Sequence, residues 1–146
     1  MTRLCTATVA LTLIACGGGG PEPVLPAPAE PEAAIRVFMS AVEADDLERM
    51  ASVWGGSRGP AVRYMDPDEL HQRLTVIRIY LEHERYEILP PAINTAPAPG
   101  RRRYQVRIES KGCRPVVPFD LVRYQDGWLV NSVDLGAVGN PAKRCN

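Results

Sequence analysis

The sequence predicts an α+β fold: helices drawn from the first part of one domain, packed on one face of a curved antiparallel sheet drawn from the second part. Three observations carry that prediction. Between Ile35 and Leu81 the apolar residues recur at three- and four-residue spacing, the period of a helix with one buried face. After Arg85 the period falls to two, the alternation of a half-buried strand. Asp126-Gly127 then sits between two strand-like runs, a strong local signal for a hairpin. Helices and strands segregated in this way indicate α+β rather than alternating βαβ units.

The chain has 146 residues, 45% hydrophobic and 23% charged, which suits one modest core. It opens with a segment bearing one positive charge, Arg3, followed by an apolar run from Leu4 to Ile14. A basic start, about ten apolar residues and small residues at the end make residues 1–15 a secretory signal peptide, too short for a permanent membrane span. Leu13-Ile14-Ala15-Cys16 resembles the lipobox of bacterial lipoproteins. The resemblance implies that Cys16 is lipidated with palmitate-type chains and becomes the first mature residue. Residues 16–31 then read as a tether, with Gly17 to Gly20 as a flexible joint and the proline-rich Pro21–Pro31 as a semi-rigid polyproline II spacer.

The domain proper is expected over residues 32–135. Ile35, Phe38, Met39 and Val42 form the stripe of a first helix, which Asp45-Asp46 interrupts. Leu47, Met50, Ala51 and Trp54 form a short second one, stopped by Gly55-Gly56, and a Gly- and Pro-rich loop follows to Pro60. The third helix has the clearest start: Asp66 as cap, Pro67 in the first turn and Glu69 completing the capping box. Its stripe Leu70, Leu74, Ile77 and Leu81 carries it to about Glu82. Tyr86 and Ile88 open a strand ending at Pro90-Pro91, and Asn94 to Gly100 is a connection. Arg103 to Glu109 alternates strictly, Lys111-Gly112-Cys113 is a turn, and Val116 to Tyr124 is a strand in which Pro118 predicts a bulge or an edge position. Trp128 to Leu135 is the last strand. Residues 136–146 form an irregular tail, loose unless Cys145 pins it.

The run Ala34-Ile35-Arg36-Val37-Phe38-Met39-Ser40-Ala41-Val42-Glu43-Ala44-Asp45-Asp46-Leu47-Glu48-Arg49-Met50 looks like the entry to the nuclear-transport-factor-two-like, or ketosteroid-isomerase-like, superfamily. Tyr124-Gln125-Asp126-Gly127-Trp128-Leu129-Val130 is similar to that superfamily's final hairpin. The resemblance covers Glu32 to about Leu135. It implies a cone-like cavity between the sheet and the helices, which some relatives use for acid/base catalysis and others for binding; the fold alone does not decide between these.

Candidate chemistry is sparse. Of four cysteines, Cys5 leaves with the signal and Cys16 takes the lipid. Cys113 and Cys145 remain as an expected disulfide in an oxidising compartment. Asp134 shares strand parity with Trp128, Val130 and Ser132. If that face lines the cavity, Asp134 is a candidate buried acid or base, with Tyr64 and Tyr104 as candidate hydroxyl donors. The plainer alternative is a solvated Asp134 and two core tyrosines. His71 and His83, twelve positions apart, share no helical face, so no metal site is expected. No cofactor is expected either, since Gly17 to Gly20 lacks the strand and lysine of a phosphate loop. Lysine plus arginine equals aspartate plus glutamate at 17 each, which argues against a nucleic-acid partner. Arg101-Arg102-Arg103 is either a solvated entry to a strand or a contact for lipid phosphates or an acidic partner.

The function this predicts is a membrane-anchored, extracytoplasmic binding or interaction module without catalysis, whose partner is an envelope protein or a small hydrophobic ligand. Gly17 after the cysteine, by analogy with lipoproteins of two-membrane bacteria, directs the protein to the periplasmic side of the outer membrane where the cell has one. Two alternatives stand beside it. An isomerase- or dehydratase-type enzyme predicts an enclosed pocket with an inward carboxylate and tyrosine hydroxyl. An envelope assembly scaffold predicts a contiguous apolar patch on the outer sheet face.

Overall fold

The computed structural model describes residues 26–90 and 98–145. The signal peptide, Cys16, the tether as far as Leu25 and most of the connection before Gly100 lie outside the described residues.

Helix α1 (Pro31–Glu43) starts at a proline and buries Ala34, Ile35, Phe38, Met39, Ala41 and Val42. The turn after it needs a left-handed residue, and Asp45 supplies it at φ 56°. The next carboxylate, Asp46, accepts the Arg49 N–H at 2.9 Å and so caps α2 (Leu47–Val53). The loop expected after Trp54 contains a minimal hairpin, β1 (Gly55–Gly56) with β2 (Gly59–Pro60), followed by a 3-10 turn at Ala61–Arg63. Gly59 is required there: its φ is +109° and an added Cβ would stand 2.9 Å from the Tyr124 ring. Helix α3 (Pro67–Tyr80) begins as expected, with the Asp66 carboxylate accepting from the N–H groups of Asp68 and Glu69, and it stops slightly short of Glu82.

Four strands follow, β3 (Arg85–Ile88), β4 (Arg101–Glu109), β5 (Val116–Tyr124) and β6 (Gly127–Val133), antiparallel in the order β3-β4-β5-β6. The β4 strand starts two residues earlier than the alternation alone indicated, because Arg101 and Arg102 pair with Val122 and Leu121. The inner face of the sheet carries Val106, Ile108, Val117, Phe119, Leu121, Trp128 and Val130, all in one core with the helix stripes. Phe38 sits at its centre, stacked on Trp54 (5.7 Å between centroids) and edge-on to Phe119 (6.3 Å). Among the described residues no polar or charged side chain is buried.

Two local expectations are corrected. Pro118 lies in β5, an interior strand, and neither on an edge nor in the bulge. It is tolerated because its carbonyl accepts the Asp134 N–H at 3.0 Å, so its nitrogen faces the side on which β6 has already ended. The bulge falls instead in β6. Asp120 pairs with Ser132 and Leu121 with Val130, leaving Asn131 as the extra residue. Its amide donates to the Gly55 carbonyl at 2.9 Å, tying the small hairpin to the sheet. The bulge also resets the parity beyond it: Val133, opposite Phe119, returns to the inner face, and Ser132, opposite Asp120, turns outward.

The free edge of β6 is covered by two segments. The Trp128 N–H donates to the Pro28 carbonyl at 2.8 Å, and Trp54 bridges Val130 in parallel. Covered in this way, the edge cannot template another strand. The Cys113–Cys145 disulfide is formed (S–S 2.06 Å) and fastens the tail to the turn after β4. The Cys145 N–H to Lys111 O bond (3.2 Å) and the Lys111 Nζ to Pro141 O bond (3.0 Å) reinforce it. No helix among the described residues is long and apolar enough to cross a membrane.

Candidate functional site

The space between α3 and the end of β6 is an open groove of about 550 Å³. Trp54, Val76, Ile77, Val133 and Leu135 supply its apolar surface, and Glu69, Gln72, Arg73 and Asn131 its polar wall. It exists because α3 packs chiefly on α2 and the 3-10 turn rather than on the sheet. The same arrangement leaves Val76 48% exposed, an apolar side chain off the helix's buried stripe. A second, smaller hollow of about 200 Å³ lies between α2, the 3-10 turn and α3, lined by Leu47, Ala51, Val62, Met65, Leu70 and Leu74, with Glu48 and His71 among its polar lining.

None of the three candidate acid/base residues lines either space. Asp134 is exposed, beyond the bulge, and its carboxylate accepts the Gly136 N–H at 3.1 Å to cap the 3-10 turn Leu135–Ala137. Tyr64 is 36% exposed, with the Arg58 guanidinium 4.0 Å above its ring. Tyr104 is half-buried on the inner face of β4 opposite Phe119. Burial pushes its hydroxyl above the ordinary tyrosine value and the Glu32 charge adds to that, while Arg102 opposes. Among the described residues the only carboxylate lining the groove, Glu69, is held by Arg73 at 3.0 Å. His71 is exposed, and His83 has its Nδ1 2.8 Å from the Leu81 carbonyl with its ring edge-on to Tyr86. Among the described residues no three His, Cys, Asp or Glu side chains are grouped as metal ligands.

The outer face of the sheet is laddered with charge. Arg103 grips Asp120 with two hydrogen bonds (2.7 and 2.8 Å), and Arg107 meets Glu87 at 2.6 Å. The Arg103 hydrogen bonds hold the Asp120 carboxyl below its usual range, against the opposing effect of partial burial. Arg102 instead lies on the inner side, 5.4 Å above the Trp128 ring. The three consecutive arginines therefore separate: one is in an ion pair, one rests on an aromatic ring, and Arg101 is exposed.

Sequence reasoning did not find the groove, although Val76 signalled it as an apolar residue outside the Leu70-Leu74-Ile77-Leu81 stripe. No protein-family model matches the chain, and no curated protein matches it in sequence.

Proposed function

We propose that the chain is an exported lipoprotein, fastened through Cys16 to the cell envelope, whose ketosteroid-isomerase-like domain binds a small amphipathic ligand without chemistry. The observation that carries the non-catalytic reading is the state of the interior. Phe38, Trp54 and Phe119 fill the space between helices and sheet, and the groove beside it holds a single carboxylate already neutralised by Arg73. A general acid or base needs a desolvated, unpaired group near the reacting atoms, and the described residues of the groove offer none. It offers an apolar surface of Trp54, Val76 and Leu135 beside the amide of Asn131, the combination that orients a molecule with one greasy side. The charged outer sheet face favours this over an assembly scaffold docking through an apolar patch.

The anchor is tested by metabolic labelling with a tagged palmitate. Label should follow the wild type into the membrane fraction and be lost with Cys16→Ser; continued labelling of that variant refutes the assignment. The groove is tested with anilinonaphthalene sulfonate as an amphipathic probe. Val76→Glu should remove most of the probe's fluorescence gain, and an unchanged titration would remove the groove from the account.

A further inference from the structure

The end of the sheet at which the chain arrives from its amino-terminal side also carries five arginines that make no ion pair among the described residues. Pro28 is bonded to Trp128 just after the β5–β6 turn, and Ala27 lies so close that Gly127 has no room for a Cβ. Around that turn, the Arg123 N–H donates to Gly100 O at 2.8 Å, so Arg101 and Arg123 lie at the same end of adjacent strands, Arg101 on the outer face and Arg123 on the inner, and Arg102 stands over Trp128. Arg63 donates to the Tyr124 hydroxyl at 3.0 Å. Arg58 precedes Gly59, which packs on the Tyr124 ring. Arg58, Arg63, Arg101 and Arg123 are exposed, and none of these five arginines makes an ion pair among the described residues. Asp126 and Glu30 are acidic neighbours, leaving a basic excess in a chain of zero net charge.

We infer that this end of the domain, presenting Arg58, Arg63, Arg101, Arg102 and Arg123, is the surface it turns toward anionic lipid headgroups. The inference rests on the lipoprotein reading above. From Cys16 to Ala27 a polyproline II tether reaches about 34 Å, so the β5–β6 turn, against which Ala27 and Pro28 lie, stays within that distance of the anchor. A tether of that length keeps the arginines at high effective concentration against the headgroups without new contacts. Guanidinium groups suit phosphate in charge and geometry, and Tyr64 and Tyr124 beside them have the amphipathic rings favoured at a membrane interface. Near a negatively charged surface each arginine contributes about fivefold in partitioning, falling with ionic strength as the field is screened.

The test uses the full chain carrying Cys16→Ser, sedimented with vesicles of phosphatidylcholine alone or with phosphatidylglycerol added. Any pull of the uncleaved apolar leader is common to all samples. Binding to the anionic vesicles should exceed that to neutral ones by roughly tenfold or more at low salt and decline as salt is raised. Arg58→Glu/Arg101→Glu/Arg123→Glu should abolish the difference. Arg49→Glu/Arg85→Glu/Arg144→Glu, equal in net charge but placed elsewhere, should preserve it. Equal binding to both vesicles, or equal loss in both triple variants, overturns the inference. If circular dichroism shows the first variant unfolded, the three glutamine replacements are read in its place. Mass spectrometry of wild-type Cys16 decides the lipoprotein reading separately: an unacylated cysteine defeats that reading whatever the vesicles show.

Discussion

Replacing both Cys113 and Cys145 with serine isolates what the disulfide contributes to the fold. The bond joins residues separated by 32 positions and encloses β5, β6 and the tail. Closing a loop of that size in the unfolded chain costs about 12 cal/mol/K by the chain-entropy estimate, or about 3.7 kcal/mol at room temperature. The folded state loses little in return, because the tail keeps other attachments. Leu135 and Val138 pack against the core, and Lys111 Nζ still reaches Pro141 O. The double variant should therefore fold to the same structure and melt roughly 15 °C lower, with a larger denaturant m-value because the unfolded chain without the cross-link exposes more surface. Thermal melts followed by far-UV circular dichroism, with the wild type measured in and out of reductant, check the figure. Reduced wild type should match the double variant. A reduced protein, verified by thiol titration, that melts within a few degrees of the oxidised one would show that the loop constraint is not what stabilises this domain.

Phe38→Ala removes the ring that touches both Trp54 and Phe119 at a fully buried position, and should cost about 3–5 kcal/mol in urea unfolding. Asp120 has its folded pKa lowered by Arg103, so its contribution to stability is present above about pH 4 and is lost as pH falls through the lowered folded value. The pair is largely exposed and the effect is small. The direct readout is the Asp120 pKa by NMR, which should rise toward the ordinary value in Arg103→Gln. Gly127→Ala forces a Cβ into Ala27 and should release Ala27–Pro28 from the edge of β6, seen as faster hydrogen exchange at the Trp128 amide with the remaining strands unaffected.

The parts of the fold legible in the sequence are those whose signals are local. Asp66-Pro67 with Glu69 marks a helix start because the cap, the first-turn proline and the acidic residue all act within four residues, and α3 begins there. The β5–β6 hairpin falls where Gln125-Asp126-Gly127 signalled it, although Gln125 and Asp126 form the loop, Gln125 is the left-handed residue at φ 52°, and Gly127 already pairs with Tyr124 as the first residue of β6. The β1–β2 hairpin was not legible, since two-residue strands have no period to detect and depend on close approach at Gly55 and Gly59. Nor was Pro118's interior position, which is permitted by where a different strand happens to stop.

The site was illegible for a related reason, and Asn131 shows it. Parity counting along residues 128–135 assumes that every residue advances the pleat by one, so Trp128 and Asp134 are assigned the same face. One bulged residue breaks that count, and nothing in Leu129-Val130-Asn131-Ser132 announces it. The bulge is stabilised from outside the strand, by the Gly55 carbonyl that accepts from the Asn131 amide 76 positions away. The same contact holds the small hairpin against β6, sets the Asn131 amide beside Trp54 in the groove, and turns Ser132 outward. Asp134 follows as the cap of a 3-10 turn. A long-range hydrogen bond therefore decides which strand residues line the groove, and the rotation that removes Asp134 from the inner face also supplies the groove's amide wall.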